Sequence, residues 1–374
     1  MNGLFGWTRR WRALRELKDL ERQEDSKLQL DEGNFINRAK AAISAGDTVA
    51  ASRFWQEALE HYPRFARTSH DSLEILLRLQ RFDEAEALML DGQKQGPRDS
   101  FYATGFALVA ERRGDIQEAI RRWGIVRSKF PTSWMGYVHG AACLCAVGES
   151  EAAEPLNMRA IKRFQNEAQA WIGSARTAEH RRDWQEAVRR WEMVRDKFGQ
   201  VREHDIASRI GIARGLEGLG KFDEAEQLLI ELQIRWPVLQ DIALALGRLA
   251  ELRGDDEKAI VRWADARRRF PVLRFGYREG LRHLVGIGRF EDAEVILLAA
   301  IDRFPAEEWP AVQYASIAHT RRDWEAAATR WAAVRAGWPD RQDGYLRGAE
   351  ACVALGRQDE AAQLRAEHQS RFPR

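Results

Sequence analysis

Apolar and polar positions along the chain repeat on two length scales. On the short scale, an alanine and a bulky apolar residue stand four apart, which puts them on one face of a helix. Such pairs are Ala51 with Trp55, Ala85 with Met89, Ala119 with Trp123, Ala187 with Trp191, Ala225 with Leu229, Ala259 with Trp263, Ala293 with Leu297 and Ala327 with Trp331. On the long scale, Ala153 and Ala361 extend this alanine column, and twelve residues after each alanine comes a stop mark. Most marks are aromatic-Pro pairs: Tyr62-Pro63, Phe130-Pro131, Trp236-Pro237, Phe270-Pro271, Phe304-Pro305, Trp338-Pro339 and Phe372-Pro373. Pro97, Gln165 and Gly199 hold the equivalent positions. Successive marks are 34 residues apart, except that 199 to 237 spans 38.

Five residues before each alanine lies a turn position, filled by Gly46, Gly114, Gly148, Gly220, Gly254, Gly288 and Gly356, with Gln80, Arg182 and Arg322 as exceptions. Glycine there allows the left-handed conformation that ends a helix. Each unit therefore reads as helix, tight turn, helix, and a proline that stops the second helix. The small alanine permits close helix approach while the large residue fills the space beside it.

A second-order period of two units is superimposed. Odd units carry Arg-Trp pairs, as in Arg122-Trp123, Arg190-Trp191, Arg262-Trp263 and Arg330-Trp331, while even units carry Phe-Asp-Glu-Ala-Glu or relatives at Phe82 to Glu86, Phe222 to Glu226 and Phe290 to Glu294. A four-residue insertion falls near 200–205. In the last unit the bulky position is Arg365, followed by His368. A polar outer face on the last helix suits the end of a stacked array.

A 34-residue helix-turn-helix unit with Ala-x3-aromatic and a terminal proline resembles the tetratricopeptide repeat. First-helix traces of the motif stand at Tyr137-x2-Gly140-Ala141 and Tyr345-x2-Gly348-Ala349, and more loosely at Trp171-x2-Ser174-Ala175. The resemblance covers residues 32–374 as ten units, with the second unit departing from it around Ser69 to Leu76. It implies an all-α fold, a right-handed superhelical solenoid of antiparallel helix pairs. It also implies a binding groove lined by first-helix residues.

Composition narrows the class. The 374 residues are 45% hydrophobic and 31% charged with net charge +2, the profile of a folded soluble chain with no global attraction to polyanions. Cys143, Cys145 and Cys352 form neither a disulfide framework nor a zinc spacing, so a reducing, cytoplasmic setting is expected. No apolar run approaches the roughly 18 residues of a bilayer span, and the start lacks a signal-peptide pattern.

Because the repeats occupy everything after residue 31, no stretch is left for a separate catalytic domain, and no enzyme and no cofactor are expected. Gly215 to Phe222 imitates a phosphate-binding loop, but Phe222 stands where a magnesium-binding hydroxyl is needed and no strand precedes it. Asp83-Glu84 and Asp223-Glu224 follow the interhelix turn, where acids complement the positive end of the second helix. The eight histidines show no metal-ligand spacing.

The groove that the resemblance implies directs attention to one first-helix column: Arg176, Arg214, Arg248 and Arg282. Guanidinium groups on successive helices suit carboxylates or phosphates, and an acidic or extended peptide is the natural ligand. The competing reading is pairing with Glu179, Glu217 and Glu251, three residues on, or with acids on the next repeat. A second column near the helix starts holds Phe101, Met135, Phe275 and Trp309, and Trp134 lies close by. These side chains serve either as anchors for a partner or as packing against the neighbouring unit.

Residues 1–31 precede the repeats. Leu4, Trp7, Trp11 and Leu14 recur at helical spacing among Arg9, Arg10, Arg12, Arg15 and Lys18. A basic amphipathic segment of this kind fits an anionic membrane surface, a cap over the first repeat, or a docking helix. The basic run is too short and too interleaved with apolar residues for nucleic acid. The expected function is a non-catalytic protein-binding scaffold or adaptor. The alternative is a peripheral membrane or envelope-polysaccharide or secretion assembly subunit recruited through residues 1–18.

Overall fold

The computed structural model describes residues 32–45, 47–63 and 70–372. Among the described residues every regular element is an α-helix, and twenty of them follow one another in pairs. The first six pairs are α1 (Glu32–Ala45) and α2 (Thr48–His61), α3 (His70–Arg78) and α4 (Phe82–Gln95), α5 (Ser100–Arg113) and α6 (Ile116–Lys129), α7 (Met135–Ala146) and α8 (Ser150–Arg163), α9 (Ala168–His180) and α10 (Trp184–Phe198), and α11 (Arg202–Gly218) and α12 (Phe222–Arg235). The last four are α13 (Gln240–Arg253) and α14 (Asp256–Arg269), α15 (Arg274–Gly286) and α16 (Phe290–Arg303), α17 (Glu308–Thr320) and α18 (Trp324–Gly337), and α19 (Gln342–Ala354) and α20 (Gln358–Arg371).

The chain divides by internal packing into two compact units, residues 1–239 and 240–374. Within each, the two helices of a repeat pack on one another and on helices of the next repeat. First helices of successive repeats also touch, α5 with α7, α7 with α9 and α9 with α11 in the first unit, and α13 with α15 in the second. The fold is an all-α solenoid of antiparallel helix pairs.

The sequence columns become structural layers. All ten column alanines are at most 1% exposed, so a larger side chain there would push the two helices of a repeat apart. Trp123, Trp191 and Trp263 beside them are as deeply buried. The turn before each second helix is left-handed at all nine described positions. Gly254 has φ +74°, and the non-glycine exceptions Gln80, Arg182 and Arg322 adopt φ of 57–58° as well. Seven of the ten second helices stop at the residue preceding an aromatic-Pro pair, as at Arg269 before Phe270-Pro271.

Odd and even repeats differ in how the second helix starts. Asp47, Asp115, Asp183, Asp255 and Asp323 cap odd-numbered second helices by accepting from the backbone N–H three residues on, at 2.9–3.3 Å, a contact worth about 1 kcal/mol each. The four-residue insertion is absorbed as an additional helical turn, since α11 has 17 residues where α9 has 13.

Candidate protein-binding face

The face built by the first helices carries the arginine column. In the first unit Arg176 and Arg214 lie on α9 and α11, both half-buried. Arg214 Nη2 pairs with Glu179 at 3.1 Å. Burial lowers the pKa of Arg176 below its ordinary value, the Arg214 charge lowers it further, and Glu179 opposes both. Two guanidinium groups thus share the field of one carboxylate. In the second unit Arg248 and Arg282 are exposed. Arg282 binds Glu251 of the preceding repeat at 2.7 Å and Glu279 of its own helix at 2.9 Å. The Glu251 contact lifts its pKa first, with Glu279 adding to the shift.

These glutamates have a second role that the sequence reading missed. Glu111, Glu179 and Glu251 accept a hydrogen bond from the indole Nε1 of the tryptophan twelve residues on: Trp123 at 2.9 Å, Trp191 at 2.6 Å and Trp263 at 2.7 Å. Each then reaches across to a base on the following first helix, His139 at 3.1 Å, Arg214 and Arg282 respectively. The signal was present: a Glu precedes these tryptophans by a constant twelve residues. In the ninth repeat His319 occupies the glutamate position and lies 3.2 Å from Glu350, with burial lowering its pKa below the ordinary value. There the Trp331 Nε1 is buried without a hydrogen-bond partner.

The two-unit period also has a contact that explains it. In three of the odd Arg-Trp pairs the arginine reaches back 36 residues to a glutamate at the start of the even unit's second helix. Arg122 meets Glu86 at 2.6 Å, Arg190 meets Glu154 at 2.5 Å, and Arg330 grips both oxygens of Glu294 at 2.8 and 3.1 Å. The same guanidinium donates to a first-helix carbonyl, Phe106, Ser174 or Tyr314, at 2.9–3.1 Å. One side chain ties three helices of two repeats together. Of the acidic pairs after the turns, Asp83 reaches Arg113 of the next repeat at 2.8 Å, while Glu84 binds Arg81 within its own turn.

The aromatic column lies against repeat cores. Phe101, Met135, Phe275 and Trp309 are half-buried and pack on the clusters of their own neighbourhoods. Trp309 Nε1 donates to Glu307 at 2.7 Å, and the Arg278 guanidinium lies 5.4 Å from its ring. Trp134 stacks on His139, which is itself stacked on Trp123 at 4.7 Å. Leu4, Trp7, Trp11, Arg9, Arg10 and Arg12 lie outside the described residues.

All three cysteines are buried and free. Burial, with Glu111 adjacent, pushes the Cys143 thiol up to about 12, which suppresses the nucleophilic thiolate. Among the described residues, no three His, Cys, Asp or Glu side chains converge as metal ligands, and no helix is long and apolar enough to cross a membrane.

A tetratricopeptide-repeat family model matches residues 210–271, from the second half of α11 through α12, α13 and α14. No curated protein matches the sequence. Among solved structures, the chain is similar to a tetratricopeptide repeat protein from Parabacteroides merdae, with 14% identity over 64% of this chain and 93% of that one at a TM-score of 0.49. It is also similar to yeast Tom70, with 13% identity over 98% of this chain and 90% of that one at a TM-score of 0.46.

Proposed function

We propose that this chain, an array of helix pairs with a tetratricopeptide-repeat match over residues 210–271, is a non-catalytic scaffold or adaptor that captures partner proteins along its first-helix face. Stacked repeats of this kind offer a long preformed surface whose affinity comes from extended contact. The finer part of the reading is that the captured segment is acidic. The observation that supports it is the arrangement around Glu179, which pairs with Arg214 at 3.1 Å while Arg176 lies in the field of both groups. An incoming carboxylate relieves the repulsion between the two guanidinium groups and can be gripped by two donors at once.

The test is partner capture by the full chain carrying Arg214→Glu and Arg248→Glu together. Weakened capture with an unchanged circular-dichroism melt is expected. Unchanged capture overturns the acidic-segment reading.

A second reading places the chain at a membrane periphery, where it organises an envelope-polysaccharide or secretion assembly. It rests on the basic amphipathic pattern of residues 1–18. Flotation of the full chain with vesicles containing anionic lipid, compared with a chain lacking residues 1–18, tests it. If neither version floats, this reading fails.

A further inference from the structure

A basic column runs along the ends of second helices in the first unit. Ten residues after the alanines of repeats three to six stand Lys129, Arg163, Lys197 and Arg235, in the last turns of α6, α8, α10 and α12. All four are exposed, and Lys162 adds an exposed charge beside Arg163. Among the described residues, Lys129, Arg163 and Lys197 meet no carboxylate, and Arg235 reaches the buried Asp205 at 3.4 Å with its side chain 60% exposed. Of the acids beside them, Asp196 is held by Arg195 at 3.0 Å and Asp205 by Arg209 at 2.9 Å, while Glu203 is exposed. In the second unit the column continues as Arg269 and Arg303, but Arg269 turns to Asp265 at 3.5 Å and Arg303 to the Pro271 carbonyl at 3.3 Å. A cation in the last turn complements the helix dipole, which explains one such residue per helix. It does not explain the aliphatic side chains that share this edge. Ile234 is 77% exposed, Val238 60% and Val201 42%. Ile234 and Val238 flank Trp236 in the chain, and Val201 precedes Arg202, whose guanidinium lies 4.2 Å from the Trp236 ring.

We propose that this edge of the first unit docks on an anionic lipid surface. Lys129, Arg163, Lys197 and Arg235 meet the headgroups, while Ile234, Val238 and Val201 enter the acyl boundary beside Trp236. Cations set against anionic headgroups supply the charge complementarity, and an amphipathic indole favours the boundary between headgroup and hydrocarbon. A nucleic-acid backbone would use the cations alone, because aliphatic side chains gain nothing from phosphate and offer no ring for a base to stack on. A lipid surface uses both. Such docking shares the membrane setting of the second reading above but needs none of residues 1–18.

Co-sedimentation of the full chain with vesicles of phosphatidylcholine and phosphatidylserine tests it, with phosphatidylcholine alone as the reference. Binding is expected to the anionic vesicles only, and it should weaken with added salt. Each Lys or Arg near such a surface is worth roughly fivefold in affinity, so Lys129→Gln, Arg163→Gln and Lys197→Gln together are expected to cost about a hundredfold. Ile234→Ser with Val238→Ser is expected to cost at least about tenfold. A charge-matched chain with the exposed Arg53, Arg121 and Arg347 changed to Gln is expected to bind as the parent does. An equal loss in that chain would reduce the effect to net charge and overturn the edge. Undiminished binding by the edge variants also overturns it, and if that binding disappears without residues 1–18, the second reading stands alone. Edge-dependent binding that survives removal of residues 1–18 supports the edge and overturns recruitment through that segment. Edge-dependent binding of a labelled oligothymidylate, with none to vesicles, assigns the cations to nucleic acid and overturns the lipid surface.

Discussion

Glu179 accepts a hydrogen bond from Trp191 Nε1 at 2.6 Å inside its own repeat and holds Arg214 of the next at 3.1 Å. One carboxylate therefore serves the core and the candidate binding face together. Its two roles separate by substitution. Glu179→Gln keeps an oxygen for the indole but removes the counter-charge of the arginines. It is expected to cost under about 1 kcal/mol of stability and to tighten binding of an acidic peptide. Glu179→Leu strands both donors and is expected to cost about 2–3 kcal/mol. Urea melts and anisotropy on the two variants check this. Equal destabilisation by both would show that the indole contact carries nothing.

The inter-repeat clamp between Arg330 and Glu294 is bidentate and largely shielded. Removing either partner leaves a half-buried charge behind, so each single change to a neutral residue is expected to cost about 2 kcal/mol. In a double-mutant cycle with Arg330→Met and Glu294→Gln the two costs are expected to be non-additive by about 1–3 kcal/mol. Additive values would mean that the pair contributes only through separate contacts.

The left-handed turns differ in strain. At Gly254 an added Cβ has open space around it, so Gly254→Ala isolates the backbone effect. A destabilisation of about 1 kcal/mol is expected. Arg322, at φ +58°, already bears that strain, and Arg322→Gly is expected to stabilise by a few tenths to about 1 kcal/mol once the larger entropy of the unfolded glycine is subtracted. Thermal melts that move in the same direction for both changes would contradict this account.

Acid should loosen the odd repeats through their first-turn glutamates. The hydrogen bond from Arg121 first, and then that from Arg122, hold the Glu118 carboxyl at about 2, below its ordinary 4.5. Arg189, then Arg190, do the same for Glu186. A carboxyl depressed in the folded state contributes stability above its unfolded value and loses it as pH falls through the folded one. Urea midpoints are therefore expected to be level from neutral pH to about 4.5 and to decline from there to about 2. Glu186→Gln should flatten part of that decline. A midpoint unchanged between 4.5 and 2.5 would rule out these pairs as the source of acid sensitivity.

Much of this architecture could be read without coordinates, because it depends on local rules that repeat. The alanine column, the i, i+4 bulky residue, the left-handed turn and the aromatic-Pro stop each act within one repeat, and their periodicity made a helix-turn-helix array readable from Glu32 onward. Even the non-glycine turns at Gln80, Arg182 and Arg322 could be placed by register. The alternation of Arg-Trp with Phe-Asp-Glu-Ala-Glu was visible too, but its meaning was not. Arg190 and Glu154 are 36 residues apart in sequence, and only stacking brings them within reach.

The binding face shows the same division. The sequence by itself determined that Arg176, Arg214, Arg248 and Arg282 share a column, because a fixed period assigns equivalent positions. It left open whether each met a carboxylate, because an exposed helix position can pair along its own helix, with the next repeat or with solvent. Tertiary structure decided that Glu179 turns toward Trp191 and Arg214, and that Arg282 divides itself between Glu251 and Glu279. It also decided that Phe275 and Trp309 lie against repeat cores. Periodicity dictates which residues are equivalent; the packing of one repeat on the next dictates which of them touch, since side-chain direction and interhelix distance exist only once the helices are stacked.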